Sequence, residues 1–151
     1  MNYQTAVAEQ SDLQSGPDDG LMLAVIRSAR HIQERLEVVL DAVSLTPAKY
    51  QALDALVKAG TPMALSELAG SLRCVRSNIT QLADRLELDG LVKRVDDASD
   101  RRAIRAVVTP LGVERHDAGS AAIARLQAEL ASSTSSADRQ YVVEVLSGIM
   151  G

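Results

Sequence analysis

The chain has 151 residues, a hydrophobic content of 46% and a formal net charge of −4 at pH 7, which together predict one globular domain with its own core. A single Cys and two distant His argue against a disulfide framework, a zinc ribbon and a histidine-based metal site. The aromatic content of 2% disfavours a single-strand nucleic-acid binder, which needs aromatic platforms for its bases.

The N-terminal part of the chain predicts an arm followed by a long helix. Residues 1–20 are polar and contain Gly16-Pro17, so we expect a flexible arm there. From residue 21 apolar side chains recur at intervals of three and four, which predicts a helix that packs against another long helix. The residues of this seam are Val25, Ala29, Ile32, Leu36, Val39 and Val43.

A second helix is predicted from "TPAKYQALDALVKAG", which begins at Thr46 and ends at Gly60. The Thr46 hydroxyl can cap the first free N–H groups, and Pro47 suits the first helical position. Gly60 is typical of the residue that follows a helix. Tyr50 lies on the side of this helix that we expect to be buried.

Residues 63–92, "MALSELAGSLRCVRSNITQLADRLELDGLV", predict helix-turn-helix organisation. After a short extended piece, Ser66 can cap a brief helix, and a tight turn follows at residues 73–75. The next helix, called the reading helix from here on, ends at Gly90. Its spacing of apolar residues predicts a buried side formed by Ile79, Leu82, Ala83 and Leu86.

Residues 91–108, "LVKRVDDASDRRAIRAVV", predict a β-hairpin with a charged tip, because two apolar runs flank a polar stretch. The local charge over residues 73–105 is +2, whereas the rest of the chain carries −6. An acidic protein with one basic face can bind a polyanion through that face. The charge pattern of the hairpin, taken alone, is more typical of a solvated loop.

Two further helices are predicted near the C-terminus. The first is capped by Thr109, begins at Pro110 and extends to about residue 131, and "SSTSSAD" separates it from the second. The apolar residues of the second helix are Tyr141, Val142, Val145, Leu146 and Ile149. These helices and the N-terminal seam carry more apolar surface than one small domain needs, which indicates a homodimer.

Residues 21–150 resemble the MarR-type winged-helix transcription regulators. The segments that carry the resemblance are "LSELAGSL", "NITQLADRLELDGLVKR" and "DDASDRRAIRAVVTPLG", in the order and spacing of the family. The chain departs from the family pattern in the turn, where Arg73 occupies a position that is commonly Gly and Val75 one that is usually Ser or Thr. These departures affect the start of the reading helix and hence its first contacts.

The resemblance implies a mainly α fold with a small antiparallel β wing (α+β class). It implies a winged helix-turn-helix DNA-binding domain over residues 46–109 and a helical dimerisation region over residues 21–45 and 110–151. The expected function is that of a dimeric, sequence-specific DNA-binding transcription regulator, and more specifically of a repressor that a small-molecule ligand releases. Its partner would be double-stranded DNA with a pseudo-palindromic operator, because a two-fold dimer presents two reading helices to successive major grooves.

The reading helix supplies the first set of candidate DNA contacts, because the outer side chains near the N-terminus of such a helix reach base edges in the major groove. Arg76 suits guanine, and the amides of Asn78 and Gln81 can pair with adenine. Ser77 and Thr80 can reach either phosphates or bases. A merely solvated polar face remains the alternative interpretation.

The wing supplies the second set of candidates. The resemblance points to Arg102 as the side chain that enters the minor groove, where a guanidinium suits the concentrated negative potential. Asp100 would hold the loop in shape, and Arg101 would contact DNA or pair with an acid of the helix-turn-helix. Arg94 lies on the strand flank, together with Lys93 and Arg105, and some of these cations would meet phosphates while others are ordinary strand charges.

The family commonly binds small aromatic acids or phenols, so the resemblance also implies an effector of that kind. We expect Arg27, His31 and Tyr50 to be the ligand-binding candidates, with Arg30 and His116 as further polar residues on the same helices. The competing interpretation is that each of these is a surface group, except Tyr50, which would be a core aromatic residue.

Two alternative functions remain open. The winged helix could be a protein-interaction module without DNA binding, or Cys74 could make the chain a redox-sensing regulator, although a free Cys in such a turn is more often a buried apolar group. No catalytic arrangement of Ser, His, Cys or carboxylates is visible, which indicates a protein that is not an enzyme. No run approaches a membrane span or a signal peptide, so we expect a cytoplasmic protein with no cofactor and no membrane contact.

Overall fold

The computed structural model describes residues 17–73, 76–97 and 104–150, with side chains over residues 20–73, 78–97 and 104–149. The elements in chain order are α1 (Pro17–Asp41), α2 (Pro47–Ala59), β1 (Met63–Ala64), α3 (Leu65–Ser71), α4 (Arg76–Leu88), β2 (Val92–Asp96), β3 (Ile104–Val108), α5 (Pro110–Ser132) and α6 (Ser136–Met150). This arrangement confirms the predicted mainly α fold with a small antiparallel β wing.

The described residues fall into two units, an N-terminal unit that ends at Glu34 and a main unit that begins at Arg35. Within the N-terminal unit, α1 begins at Pro17, inside the arm expected over residues 1–20, because proline is pre-organised for the first helical position. Residues 1–16 of that arm lie outside the described residues.

The core of the main unit is built from aliphatic side chains of its helices and strands. Its largest fully buried side chains are Leu40, Leu45, Leu53, Leu56, Leu68, Ile79, Leu86 and Val92. The predicted ends of α2 are confirmed, since the Thr46 hydroxyl accepts a hydrogen bond from the Lys49 N–H at 3.3 Å. Gly60 ends the helix with a φ of 64°, a left-handed conformation that favours glycine.

The strands form an antiparallel sheet in the order β1-β3-β2. The wing pairs Val92 with Val108 and Asp96 with Ile104, while β1 adds Met63 opposite Ala106. The sequence predicts an extended piece at β1 but not its pairing. The predicted cap at Ser66 is wrong, because α3 begins at Leu65 after Ala64.

A carboxylate binds the backbone N–H of Ala64, the residue that precedes α3. The Glu67 side chain accepts a hydrogen bond from the Ala64 N–H at 3.0 Å. A carboxylate is also favourable at this end of a helix because of the helix dipole. The start of α3 therefore depends on Glu67 and not on a Ser hydroxyl.

Helix α5 is attached to the turn between α4 and β2 through Thr109. The Thr109 hydroxyl donates to the Gly90 carbonyl at 2.7 Å and accepts from the Gly112 N–H at 3.0 Å. The Thr109 N–H also donates to the Leu91 carbonyl at 3.0 Å. The predicted Thr109 cap is confirmed, and it ties the end of the wing to the end of the reading helix, α4.

Helices α2 and α5 meet at a polar contact centred on His116. The His116 ring stacks on Tyr50 with centroids 5.5 Å apart, and its Nε2 lies 3.2 Å from Asp54 Oδ1. The Tyr50 hydroxyl is 3.0 Å from Ser120 Oγ. The interpretation of His116 as a surface group is wrong, because α5 turns this side chain toward α2. Tyr50 packs partly buried against the core, as the competing interpretation expected.

Candidate nucleic-acid interface

Helix α4 separates an apolar side from a polar side. Ile79, Ala83 and Leu86 are buried, as the spacing predicts, whereas Asn78 and Gln81 are exposed on the other side. The burial of one side fixes which residues face the solvent, because a helix cannot rotate without exposing its apolar stripe.

The remaining candidates of this helix lie near its start. Thr80 is also exposed on the outer side of α4. Arg76 and Ser77 belong to the first turn, and their side chains lie outside the described residues.

An open cleft of about 420 Å³ runs beside the outer side of α4. Its lining joins α4 to α2 and the end of α3, and consists of Ala48, Gln51, Leu72, Asn78, Gln81, Leu82 and Arg85. Three of these side chains are amides, which can both donate and accept hydrogen bonds. Gln51 was not among the predicted residues, because its position in space depends on how α2 packs against α4.

The cations of the hairpin have different surroundings. Lys93 is exposed and makes no ion pair with the described residues, and the same is true of Arg85 on α4. Arg94 instead forms ion pairs with Asp84 and Glu87 of α4. Its contact with DNA stays a prediction, but its charge is already compensated by acids of the reading helix.

Arg105 braces the base of the wing. Its Nε donates to Asp97, its Nη1 donates to the Pro62 carbonyl at 3.0 Å, and Glu67 lies 3.9 Å away. The hydrogen bond and the charge of Asp97 raise the pKa of Arg105, although partial desolvation opposes them. The guanidinium therefore holds Asp97, a buried carboxylate, at the point where the wing tip begins.

Four further predicted residues belong to the turn and the wing tip. Asp100, Arg101 and Arg102 lie within residues 98–103, and Cys74 lies within residues 74–75, both outside the described residues. Their roles stay predictions from the sequence.

The ligand-binding candidates occur in both units. Arg27 and His31 are exposed in the N-terminal unit. Tyr50 lies in the main unit, where its ring contacts His116 and its hydroxyl contacts Ser120.

The described part of the chain contains neither a candidate metal site nor a candidate membrane span. Over residues 17–73, 76–97 and 104–150, no three His, Cys, Asp or Glu side chains come together as a metal site would require. None of the helices in these ranges combines the length and apolar character that a membrane span needs.

Comparisons with known proteins agree with this geometry. The model of the MarR family matches residues 45–104. The HTH-type transcriptional regulator PrsX of Escherichia coli is 34% identical over 94 residues, which are 62% of this chain and 57% of PrsX. The chain thus matches little more than half the length of this curated relative.

Solved structures extend the likeness beyond the helix-turn-helix. The transcriptional repressor CouR, bound to a 23-mer DNA duplex, is 26% identical with a TM-score of 0.73 and covers 85% of this chain and 90% of CouR. The organohalide-sensing regulator RdhR, in its 2,4-dichlorophenol-bound form, has a TM-score of 0.77 and covers 90% of this chain and 80% of RdhR. At 15% identity the likeness to RdhR shows the fold alone.

The matched family and the curated relative are transcription regulators and not enzymes, which confirms the expectation from the sequence. The fold, the exposed polar side of α4 beside a two-stranded wing, and the family match over residues 45–104 lead to one conclusion. The chain belongs to the MarR family of winged helix-turn-helix transcription regulators.

Proposed function

We propose that the protein is a dimeric, sequence-specific DNA-binding transcription regulator. The observation that carries the proposal is the outer side of α4, where Asn78, Thr80 and Gln81 are exposed while Ile79 and Leu86 are buried. The B-DNA major groove admits one α-helix, and Asn and Gln amides pair with the N6 and N7 edge of adenine in bidentate fashion. Helix α4 is therefore the element that reads bases.

The exposed cations next to α4 support contact with the DNA backbone. Arg85 follows Gln81 by one helical turn, and Lys93 lies on the adjacent strand β2. Neither makes an ion pair with a described side chain, so both charges are available to phosphates. Phosphate contacts position a protein on DNA without reading its sequence. CouR, whose structure contains a DNA duplex, supports the same assignment by its likeness to this chain.

The wing tip is assigned to the minor groove from its sequence. Arg102 enters the groove, Asp100 shapes the loop, and Arg101 pairs with an acid or with a phosphate. Because minor-groove potential depends on width, replacing Arg102 with Ala should weaken binding most where the flanking sequence narrows the groove. Replacing it with Lys should recover part of the loss, since the charge remains but the planar guanidinium does not.

Dimerisation through the terminal helices is supported by unpacked apolar side chains. Every described α6 side chain is exposed except Val145, including Tyr141 at 69% and Ile149 at 58%. Within the N-terminal unit, apolar side chains of α1 are exposed as well, namely Leu21, Met22, Leu23, Ile26 and Ile32. Burying such surface against a second copy is favourable, and a two-fold dimer matches a pseudo-palindromic operator.

The same proposal includes release by a small aromatic or phenolic effector, so that the protein acts as a repressor. The support is the likeness to CouR, named a repressor, and the fold shared with RdhR, which binds 2,4-dichlorophenol. Arg27, His31 and Tyr50 are the proposed ligand-binding residues. An effector can release DNA only if it binds the DNA-free arrangement of the dimer more tightly than the DNA-bound one.

Selection of DNA tests the function directly. Purified protein is incubated with a library of random duplexes, and the enriched duplex is then compared with a scrambled duplex by fluorescence anisotropy over a series of salt concentrations. We expect enrichment of an inverted repeat and an affinity for it about 1,000-fold or more above that of the scrambled duplex. Gln81→Ala, which removes a proposed base contact, should reduce this preference, whereas the matched control Gln127→Ala, at an exposed position on α5, should not.

Each part of the proposal has a result that would contradict it. A library from which no sequence is enriched, or an affinity that does not depend on salt, would contradict the proposal, because counterion release accompanies phosphate contacts. Sedimentation as a compact monomer at micromolar concentration would contradict the dimer. An operator complex whose affinity no small phenol or aromatic acid changes would contradict release by an effector of that class.

A further inference from the structure

Arg94 contacts three positions on one side of α4. Its Nη2 donates to an Asp84 carboxylate oxygen and lies 3.4 Å from the Thr80 carbonyl oxygen. Its Nε lies 3.5 Å from Glu87 Oε2. The backbone N–H of Arg94 donates to Glu87 Oε1 at 3.2 Å. Positions 80, 84 and 87 succeed one another along one side of a helix, so a single residue of β2 is attached to α4 over about two turns.

The exposed fractions of the three side chains show that Arg94 is the one held in place. The Arg94 side chain is only 23% exposed, whereas Asp84 is 57% and Glu87 is 44% exposed. The guanidinium therefore lies between β2 and α4, and its charge is directed toward the two carboxylates. Lys93, the preceding residue, points to the opposite side of the strand and is exposed.

The charge of Arg94 matters for DNA binding because it neutralises carboxylates on the reading helix. Asp84 and Glu87 lie three residues apart on α4 and share the positive charge of Arg94. Without Arg94 the reading helix would bring two uncompensated carboxylates toward a polyanion. The carboxylates of Asp84 and Glu87 are about half exposed, and ion pairs near the surface contribute little to folding, so this effect should be seen mainly in binding.

The wing is also fixed from its other strand. Arg94 pairs with Ala106 of β3, and the neighbouring Arg105 holds Asp97 and the Pro62 carbonyl. The base of the wing is thus attached to α4 by Arg94 and to Pro62, the residue before β1, by Arg105.

We propose that Arg94 is a positioning residue that sets the wing against the reading helix and neutralises Asp84 and Glu87, and that it does not contact phosphate. This inference rests on the proposed function. It replaces the phosphate contact that the sequence predicts for Arg94 with a contact inside the protein. Strand β2 leads into the wing tip, which we assign to the minor groove, and α4 is assigned to the major groove. Because Arg94 joins β2 to α4, binding of one element in its groove should help to position the other element in its groove.

Two neutral variants separate positioning from phosphate contact. Arg94→Gln and Lys93→Gln each remove one positive charge from adjacent positions of β2. Binding to a short random-sequence duplex, labelled with fluorescein, is measured by anisotropy over a series of salt concentrations. We expect Lys93→Gln to reduce the slope of log affinity against log salt by about 0.9, the value for one phosphate, and Arg94→Gln to leave the slope unchanged.

A second measurement uses the duplex obtained by selection. We expect Arg94→Gln to weaken binding to it by about tenfold. Adding Asp84→Asn and Glu87→Gln to Arg94→Gln should recover part of this loss, since the repelling carboxylates are then gone. Arg94→Lys should lie between the parent and Arg94→Gln, because an ammonium cannot hold two carboxylates in a fixed fork. Thermal unfolding of each variant identifies any loss that comes from unfolding.

The outcomes distinguish this inference from the function on which it rests. If Arg94→Gln reduces the salt slope as much as Lys93→Gln does, or if neutralising the carboxylates recovers nothing, Arg94 contacts phosphate and the inference is wrong. If the parent protein binds neither duplex, the proposed function itself is wrong.

Discussion

Gly112 lies so close to Leu91 that a Cβ atom on Gly112 would stand 2.1 Å from the Leu91 carbonyl oxygen. The same Cβ would be 2.8 Å from Val108 Cγ2. The first turn of α5 therefore packs directly on the backbone that joins α4 to the wing. The Thr109 hydrogen bonds to Gly90 and Gly112 hold the two segments at this distance. The close approach of these two backbones explains why the "TPLG" segment ends with a glycine, since any larger residue would clash with Leu91.

Replacing Gly112 with Ala should destabilise the protein by about 3 kcal/mol. This is the upper end of the usual cost of overpacking, because the clash is with backbone and not with a mobile side chain. The better helix propensity of Ala recovers less than about 1 kcal/mol. Urea unfolding followed by circular dichroism measures the difference.

Gly70→Ala is the matched control, since a Cβ at Gly70 of α3 meets nothing within 4 Å. That variant should be as stable as the parent or slightly more stable. Equal stability of Gly112→Ala and Gly70→Ala would contradict the close packing of α5 on Leu91.

Replacing Arg73 with Gly should stabilise the fold. Arg73 has a φ of 49°, a left-handed conformation in which a side chain costs about 1 kcal/mol or more and in which glycine is unstrained. The greater freedom of Gly in the unfolded chain offsets part of this gain, so we expect a net gain of roughly 0.5 kcal/mol. Arg73→Ala keeps the strain and should bring no gain. A chemical denaturation midpoint that is higher for the Ala variant than for the Gly variant would contradict the prediction.

Both ends of α2 and the start of α5 could be predicted from the sequence because they depend on neighbouring residues. Thr46 and Thr109 cap their helices through N–H groups only three residues away, and Gly60 ends α2 through its own conformation. The buried side of α4 follows from the spacing of apolar residues within that helix.

Other features depend on partners that are far away in sequence. His116 is buried because it meets Tyr50 and Asp54, which lie more than sixty residues earlier in the chain. The different surroundings of Lys93 and Arg94 follow from the alternation of sides along β2, but the partner of the inner side is α4. The sequence places both cations on the wing and cannot show which of them is already paired.

The Asp54 carboxylate predicts a dependence of stability on acidic pH. Partial burial by itself would raise the pKa of Asp54, but hydrogen bonds and charges of Lys58 and His116 lower it below its ordinary value of 3.8. A carboxyl whose pKa is lower in the folded state stabilises the fold fully above its unfolded pKa, and this stabilisation is lost as the pH falls through the folded pKa. We therefore expect the contribution of Asp54 to be present above about pH 4 and to disappear below it.

Asp54→Asn should flatten the stability profile in that range by less than about 1 kcal/mol, because the group is near the surface. Lys58→Met removes one of the two partners and should flatten it to a smaller extent. The groups that face Asp54 are Lys58 from α2 and His116 from α5, and Asp117 lies on the far side of the imidazole. Urea midpoints at several pH values between 2.5 and 6, with Gln127→Ala as the control, measure the effect. Unchanged pH dependence in Asp54→Asn would show that Asp54 gains nothing from these contacts.

Gln81 and Lys93 should affect DNA binding in different ways, because we propose that Gln81 contacts bases and Lys93 contacts phosphates. Gln81 is exposed on the outer side of α4, whereas Lys93 is exposed on β2 without an ion pair among the described side chains. Gln81→Ala should cost about 1–3 kcal/mol of affinity at one base position in each half-site, while affinity for scrambled DNA stays nearly the same. Lys93→Gln should weaken binding to every duplex alike and lower the salt slope, since a phosphate contact carries no sequence information.

Anisotropy titrations of both variants against the selected duplex, its single-base substitutions and a scrambled duplex separate the two effects. For Gln81→Ala the discrimination between the correct base and its substitutes should disappear at one position and persist at the others. Equal losses on all duplexes would show that Gln81 touches only the backbone, and α4 would then lie across the groove and not within it. If the loss of affinity in Lys93→Gln depended on the DNA sequence, Lys93 would contact base edges, and β2 would lie closer to the bases than we propose.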